Sequence, residues 1–76
     1  MKEFVEFIAK HLVDNPNDVQ VTEVKGDQVT IYELRVAQSD MGKVIGREGQ
    51  NAKAIRTLLN AAAKKSGMRT SLEIIE

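Results

Sequence analysis

Apolar residues recur along the chain at two different periods. From Lys2 to Val13, Phe4, Ile8 and Leu12 fall at i, i+4 and i+8, with Val5 and Phe7 widening the stripe, which predicts an amphipathic helix. Pro16 bounds it, because the residue before a proline is pushed out of helical geometry, so Asn15-Pro16-Asn17-Asp18 reads as the exit turn. Val19 to Lys25 is rich in β-branched residues, and Gln28 to Ala37 alternates with Tyr32, Leu34 and Val36 on one side, so both read as strands. Gly26-Asp27 between them signals a hairpin, and its glycine-first order fits a II′ turn.

Helical spacing then returns. Ser39 or Asp40 can cap a short helix running to about Ile45, and the glycines at 46 and 49 break it. A longer helix follows with Ile55, Leu58, Leu59 and Ala62 on its expected core stripe, ending where Lys64 and Lys65 precede Gly67. Arg69 to Glu76 is the third predicted strand, with Leu72 and Ile74 on one face. The order α-β-β-α-α-β predicts one α+β domain over residues 1–76, with a three-stranded mixed sheet. Two helices separate the second and third strands, so that connection can be a parallel crossover, expected to be right-handed. All three helices would then cover one sheet face, leaving Val29, Ile31, Glu33, Arg35 and Ile75 on the other.

Length restricts what this frame can do. A 76-residue chain hides only about 60 to 65% of its unfolded surface and leaves no room for a deep catalytic cavity. The absence of cysteine excludes a disulfide framework, thiolate zinc sites and a cysteine nucleophile. No apolar run approaches the roughly 18 residues of a spanning helix, and the start lacks a signal-peptide layout. A soluble, cytoplasmic protein with no membrane partner and no cofactor is expected.

Charge changes the picture more. The formal net charge is zero, yet residues 1–42 carry four basic and eight acidic side chains while residues 43–69 carry seven basic ones against Glu48 alone. Such sorting predicts a basic face and an acidic remainder.

The cations gather around a turn. Gly46 and Gly49 enclose two residues, so the backbone can bend sharply and approach a ligand without a Cβ in the way. A helix opens there, and its unpartnered N–H groups and positive dipole end suit an anion. Gly49, Lys53 and Arg56 share one side of that helix at i, i+4 and i+7, Lys43 and Arg47 add charge, and Val44 and Ile45 add apolar surface. A phosphate-sized site beside a basic stripe points to a chain of phosphates. Read from spacing alone, a solvated helix-turn-helix corner explains the same residues, since G-x-x-G is common.

The run Val44-Ile45-Gly46-Arg47-Glu48-Gly49, in this element order, resembles the K-homology (KH) domain of bacterial type II. Val36-Ala37, Gly42 to Gly49, Ala54-Ile55-Arg56-Thr57 and Ser71-Leu72-Glu73 extend the resemblance to the small stand-alone bacterial KH proteins of the KhpA family over nearly the whole chain. KH modules clamp about four backbone nucleotides of single-stranded nucleic acid with a GXXG loop. The resemblance implies single-stranded RNA binding of the RNA chaperone or post-transcriptional regulator type, with Gly46, Arg47, Glu48 and Gly49 as the loop. It also implies a homodimer, and pairing with a larger KH-domain-containing RNA-binding protein. The expected contact set is Lys43, Val44, Ile45, Gly46, Arg47, Glu48, Gly49, Gln50, Lys53 and Arg56.

Two residues depart from the family pattern. Glu48 sets a carboxylate beside the expected phosphates, and Gln50 stands where related proteins often carry a cation. Phe4 and Phe7 read as core, Tyr32 lies on the core face of its strand and tryptophan is absent, so base stacking has few platforms. His11 is the only histidine, no triad or metal set can be assembled, and the glycine spacing matches neither mononucleotide-loop pattern. The competing class is a protein-interaction or dimerisation module with vestigial RNA affinity, using the open sheet face or the helix from Lys53 to Gly67.

Overall fold

The alternating stretches do pair. In the computed structural model, which describes residues 1–75, the elements are α1 (Lys2–Leu12), β1 (Gln20–Lys25), β2 (Val29–Arg35), α2 (Met41–Ile45), α3 (Gln50–Ala63) and β3 (Arg69–Ile75). The order is the expected α-β-β-α-α-β; the expected strand end at Glu76 lies outside the described residues. Strand order is β1-β2-β3, with β1 antiparallel and β3 parallel to the central β2. The pairs Val21↔Leu34 and Tyr32↔Leu72 put the larger apolar residues on one face. There they pack with Val5 and Ala9 of α1, Val44 of α2, and Ile55 and Leu59 of α3. The helices therefore cover one face of a mixed sheet. On the other, Val29 is exposed and Glu33 sits beside Glu73.

Four expectations need correction. Phe7 is 61% exposed and lies against the His11 ring at a centroid distance of 4.4 Å. At 100° per residue it is about 200° from the buried Val5, outside the arc that meets the sheet. On α3 the buried stripe is Ala52, Ile55, Leu59 and Ala63, while Leu58 is 48% exposed and Ala62 is exposed too. Leu58 lies about 100° around the helix from the buried Leu59, outside the arc that meets the sheet.

The hairpin is not of the II′ type at Gly26, which is not among the positive-φ residues. Its N–H donates to Val29 O at 2.8 Å, leaving Asp27-Gln28 as the connection. A Cβ on Gly26 would come within 3.0 Å of that oxygen, so close approach accounts for the glycine. Finally, Asp40 precedes α2 but makes no side-chain cap. Its buried carboxylate accepts from Asn15 N and Asn15 Nδ2 at 3.0 Å each and from Asp14 N at 3.3 Å, fastening the end of α1 to the start of α2.

Candidate nucleic-acid interface

The turn between α2 and α3 is built from backbone conformations that side chains rarely adopt. Gly46 ends α2 at φ 77°, ψ 174°, its N–H donating to Gly42 O at 2.8 Å. Glu48 (φ 56°, ψ 26°) and Gly49 (φ 77°, ψ 13°) then take consecutive left-handed conformations. Gly49 N–H closes the turn onto Gly46 O at 3.1 Å. For Glu48 the left-handed region costs roughly 1 kcal/mol or more, which the surrounding turn must hold in place.

Asn51 locks this arrangement. Its Nδ2 donates to Lys43 O at 2.8 Å, satisfying a carbonyl at the end of α2. Sequence reasoning passed over Asn51, although a short amide beside a helix start is the side chain suited to such a bond. The following helix has no side-chain N-cap; Gly49 N–H and Gln50 N–H are taken by Gly46 O and Arg47 O within the turn, where the positive end of the helix dipole lies.

The expected contact residues are not equivalent. Arg47, Glu48, Gln50 and Lys53 are exposed, and neither Arg47 nor Lys53 makes an ion pair among the described residues. Ile45 is 38% exposed whereas Val44 is fully buried in the core, which brings one of the two apolar residues to the surface. Lys43 Nζ is paired with Asp14 and lies 3.5 Å from Asp40 Oδ1. The hydrogen bond to Asp14 raises the Lys43 pKa above its usual value, with desolvation opposing and both carboxylates adding attraction. Asp40 moves the other way. Burial raises its pKa, but the hydrogen bonds from Asn15 and Asp14 together with Lys43 outweigh that and hold it below the usual carboxylate value.

Arg56 reaches the sheet instead of the turn, its Nη2 donating to Leu72 O at 3.3 Å. Leu72 belongs to β3, an edge strand, so the guanidinium bridges the seam between α3 and that edge. The turn, the exposed flank of α3 and the β3 edge thus border one surface, with Arg47, Lys53 and Arg56 as its cations. No group of three or more His, Asp or Glu among the described residues could hold a metal, and no described helix is long and apolar enough to cross a membrane.

The family described as KhpA/KhpB, KH domain, matches residues 2–74, which spans every helix and strand described above except the last residue of β3. The chain belongs to this KH-domain family. It is 59% identical over 75 residues to the RNA-binding protein KhpA of Clostridium acetobutylicum, covering 99% of this chain and 100% of that one. It is 54% identical over 76 residues to the RNA-binding protein KhpA of Chlamydia pneumoniae, covering 100% and 97%. To the KhpA of Aquifex aeolicus it is 49% identical over 76 residues, covering 100% and 96%. Membership in the KhpA/KhpB family fits the sequence resemblance.

Proposed function

We propose that this chain is a non-catalytic, cytoplasmic RNA-binding module that clamps the backbone of single-stranded RNA at Gly46 to Gly49 with little base selectivity. The observation that carries the reading is the start of α3, without a side-chain cap, at a turn of two left-handed residues, beside Arg47 and Lys53, which make no ion pair among the described residues. The backbone N–H of Glu48 donates to phosphate, those of Gly49 and Gln50 being held by Gly46 O and Arg47 O, while Arg47 and Lys53 neutralise it and Arg56 serves the next position along α3. Ile45 offers the apolar contact to a base, with Val44 supporting it from the core. Lys43 contributes least, because two carboxylates already hold its charge. Relatives that bear the name RNA-binding protein support the ligand class.

Three available cations on a single strand give a salt slope of about −2, from about −0.7 per phosphate. Titrating a labelled unstructured RNA at several salt concentrations tests this, and a slope near zero would overturn it. A second reading rests on Leu58 at 48% and Phe7 at 61% exposure, which leave apolar surface on the helical layer. On that reading the chain forms a homodimer or docks a larger KH-domain protein, and acts as an RNA chaperone or regulator through the assembly. Two weak clamps in one assembly gain avidity on one RNA.

A further inference from the structure

Along the seam between α3 and β3, helix and strand advance in step. Arg56 bonds Leu72 O at 3.3 Å, and Thr70 Oγ1 donates to Asn60 Oδ1 at 2.7 Å. Four helical residues rise about 6 Å, and two strand residues advance about 6.6 Å, so the two polar rungs lie at matched spacing. The seam then opens. An open cavity of about 540 Å³ is lined by Thr57, Asn60, Ala61, Lys64, Met68 and Arg69. None of these is acidic, and Lys64 and Arg69 are exposed.

The chemistry of the cavity suits a nucleotide. Accepting from Thr70 fixes the Asn60 amide and leaves its two N–H donors for an acceptor on a base. Met68 gives a polarisable apolar wall. The C-terminal end of α3 carries about half a negative charge from the helix dipole, which disfavours phosphate. Two full positive charges exceed it, and Ser66 Oγ and Gly67 N–H already occupy the Ala63 and Lys64 carbonyls at 2.9 and 3.2 Å.

We infer that this cavity is a second subsite for the RNA strand held at the Gly46 to Gly49 turn, seating a base between Met68 and Asn60 with the adjoining phosphates at Lys64 and Arg69. The inference rests on the proposed loop clamp. It makes the footprint longer than the clamp itself, because the seam carries the strand about 20 Å from Gln50 to Lys64.

The test compares oligouridines of about four nucleotides, the length of a KH clamp, and about eight. Each is titrated against the wild-type chain and Lys64→Gln/Arg69→Gln, with the Met68 methyl resonance followed by NMR. The expected result is tighter binding of the longer strand by wild type, and loss of that gain in the variant with the short strand unaffected. The variant's salt slope on the longer strand falls by about 1.4, for two phosphates released from contact. Met68 shifts with the longer strand only. Equal affinity of wild type for both lengths, equal weakening of both by the variant, or an unmoved Met68 would overturn the subsite. Failure of the loop clamp itself reads differently, as short-strand binding that survives a loop variant.

Discussion

Asn51 and Gly46 share one volume: a Cβ on Gly46 would sit 2.7 Å from Asn51 Cγ and 2.8 Å from Asn51 N. The contact involves backbone, so no side-chain rotation relieves it. Gly46 also holds φ 77°, ψ 174°, a region almost confined to glycine, where another residue costs about 1–3 kcal/mol. Gly46→Ala is therefore expected to destabilise the chain by more than about 3 kcal/mol in urea unfolding, since the overlap adds to the backbone cost. Gly49 has the same φ but nothing within 4 Å of a Cβ, so Gly49→Ala should cost only about 1–2 kcal/mol. Equal losses would mean that the Asn51 contact does not shape the turn.

Glu48 pays a left-handed backbone penalty and sets a carboxylate beside the proposed phosphates. Asparagine tolerates that conformation better and carries no charge. Glu48→Asn should raise stability by about 0.5–1 kcal/mol and tighten RNA binding together. Glu48→Lys should tighten binding without the gain in stability, and a matched gain for both variants would contradict the strain at this position.

The carboxylate of Asp40 joins α1 to α2 through Asn15 and Asp14. Its folded pKa lies below the ordinary 3.8, so the stabilisation is complete above that value and is lost as pH falls through the folded pKa. Asp40→Asn should lower the melting temperature at neutral pH, with the gap to wild type closing under acid. A gap that stays constant down to the lowest accessible pH would show that the charge is not what holds the two helices together.

Tyr32 is the only tyrosine, so a phenolate absorbance titration reports it alone. Burial first, then its 2.7 Å hydrogen bond to Glu23 Oε2, push its pKa up from 10.0 to about 12. A raised folded pKa means that this contribution to stability is intact below pH 10 and declines as pH rises toward 12. Glu23→Gln should bring the titration midpoint down part of the way, leaving the share due to burial; an unshifted midpoint would discount the carboxylate.

Much of this was legible in the sequence because local signals agreed with one another. The Phe4, Ile8, Leu12 spacing, the alternation through Tyr32 and Leu34, and Gly67 after Lys65 fixed element types and nearly all their ends. What escaped the sequence needed distant partners. Lys43 reads as a free cation until Asp14, 29 residues away, is found beside it, and Arg56 reads as a loop contact until Leu72 O takes its guanidinium. Phe7 and Leu58 read as core by hydrophobicity, yet they fall outside the arcs of their helices that meet the sheet, where Val5, Ala9, Ile55 and Leu59 are buried instead. Nothing local to Glu48 announces a left-handed backbone.

On the proposed function, RNA is held at the turn. Affinity for a labelled unstructured RNA, measured at low and moderate salt for the wild-type chain and for Arg47→Asp/Glu48→Asp, tests it most directly, with thermal melting confirming that both are folded. Salt-sensitive binding by wild type and its loss in the variant are expected, with melting little changed. Equal affinity of the two proteins would contradict it and move the search for function to the exposed surface around Leu58 and to the open face of the sheet.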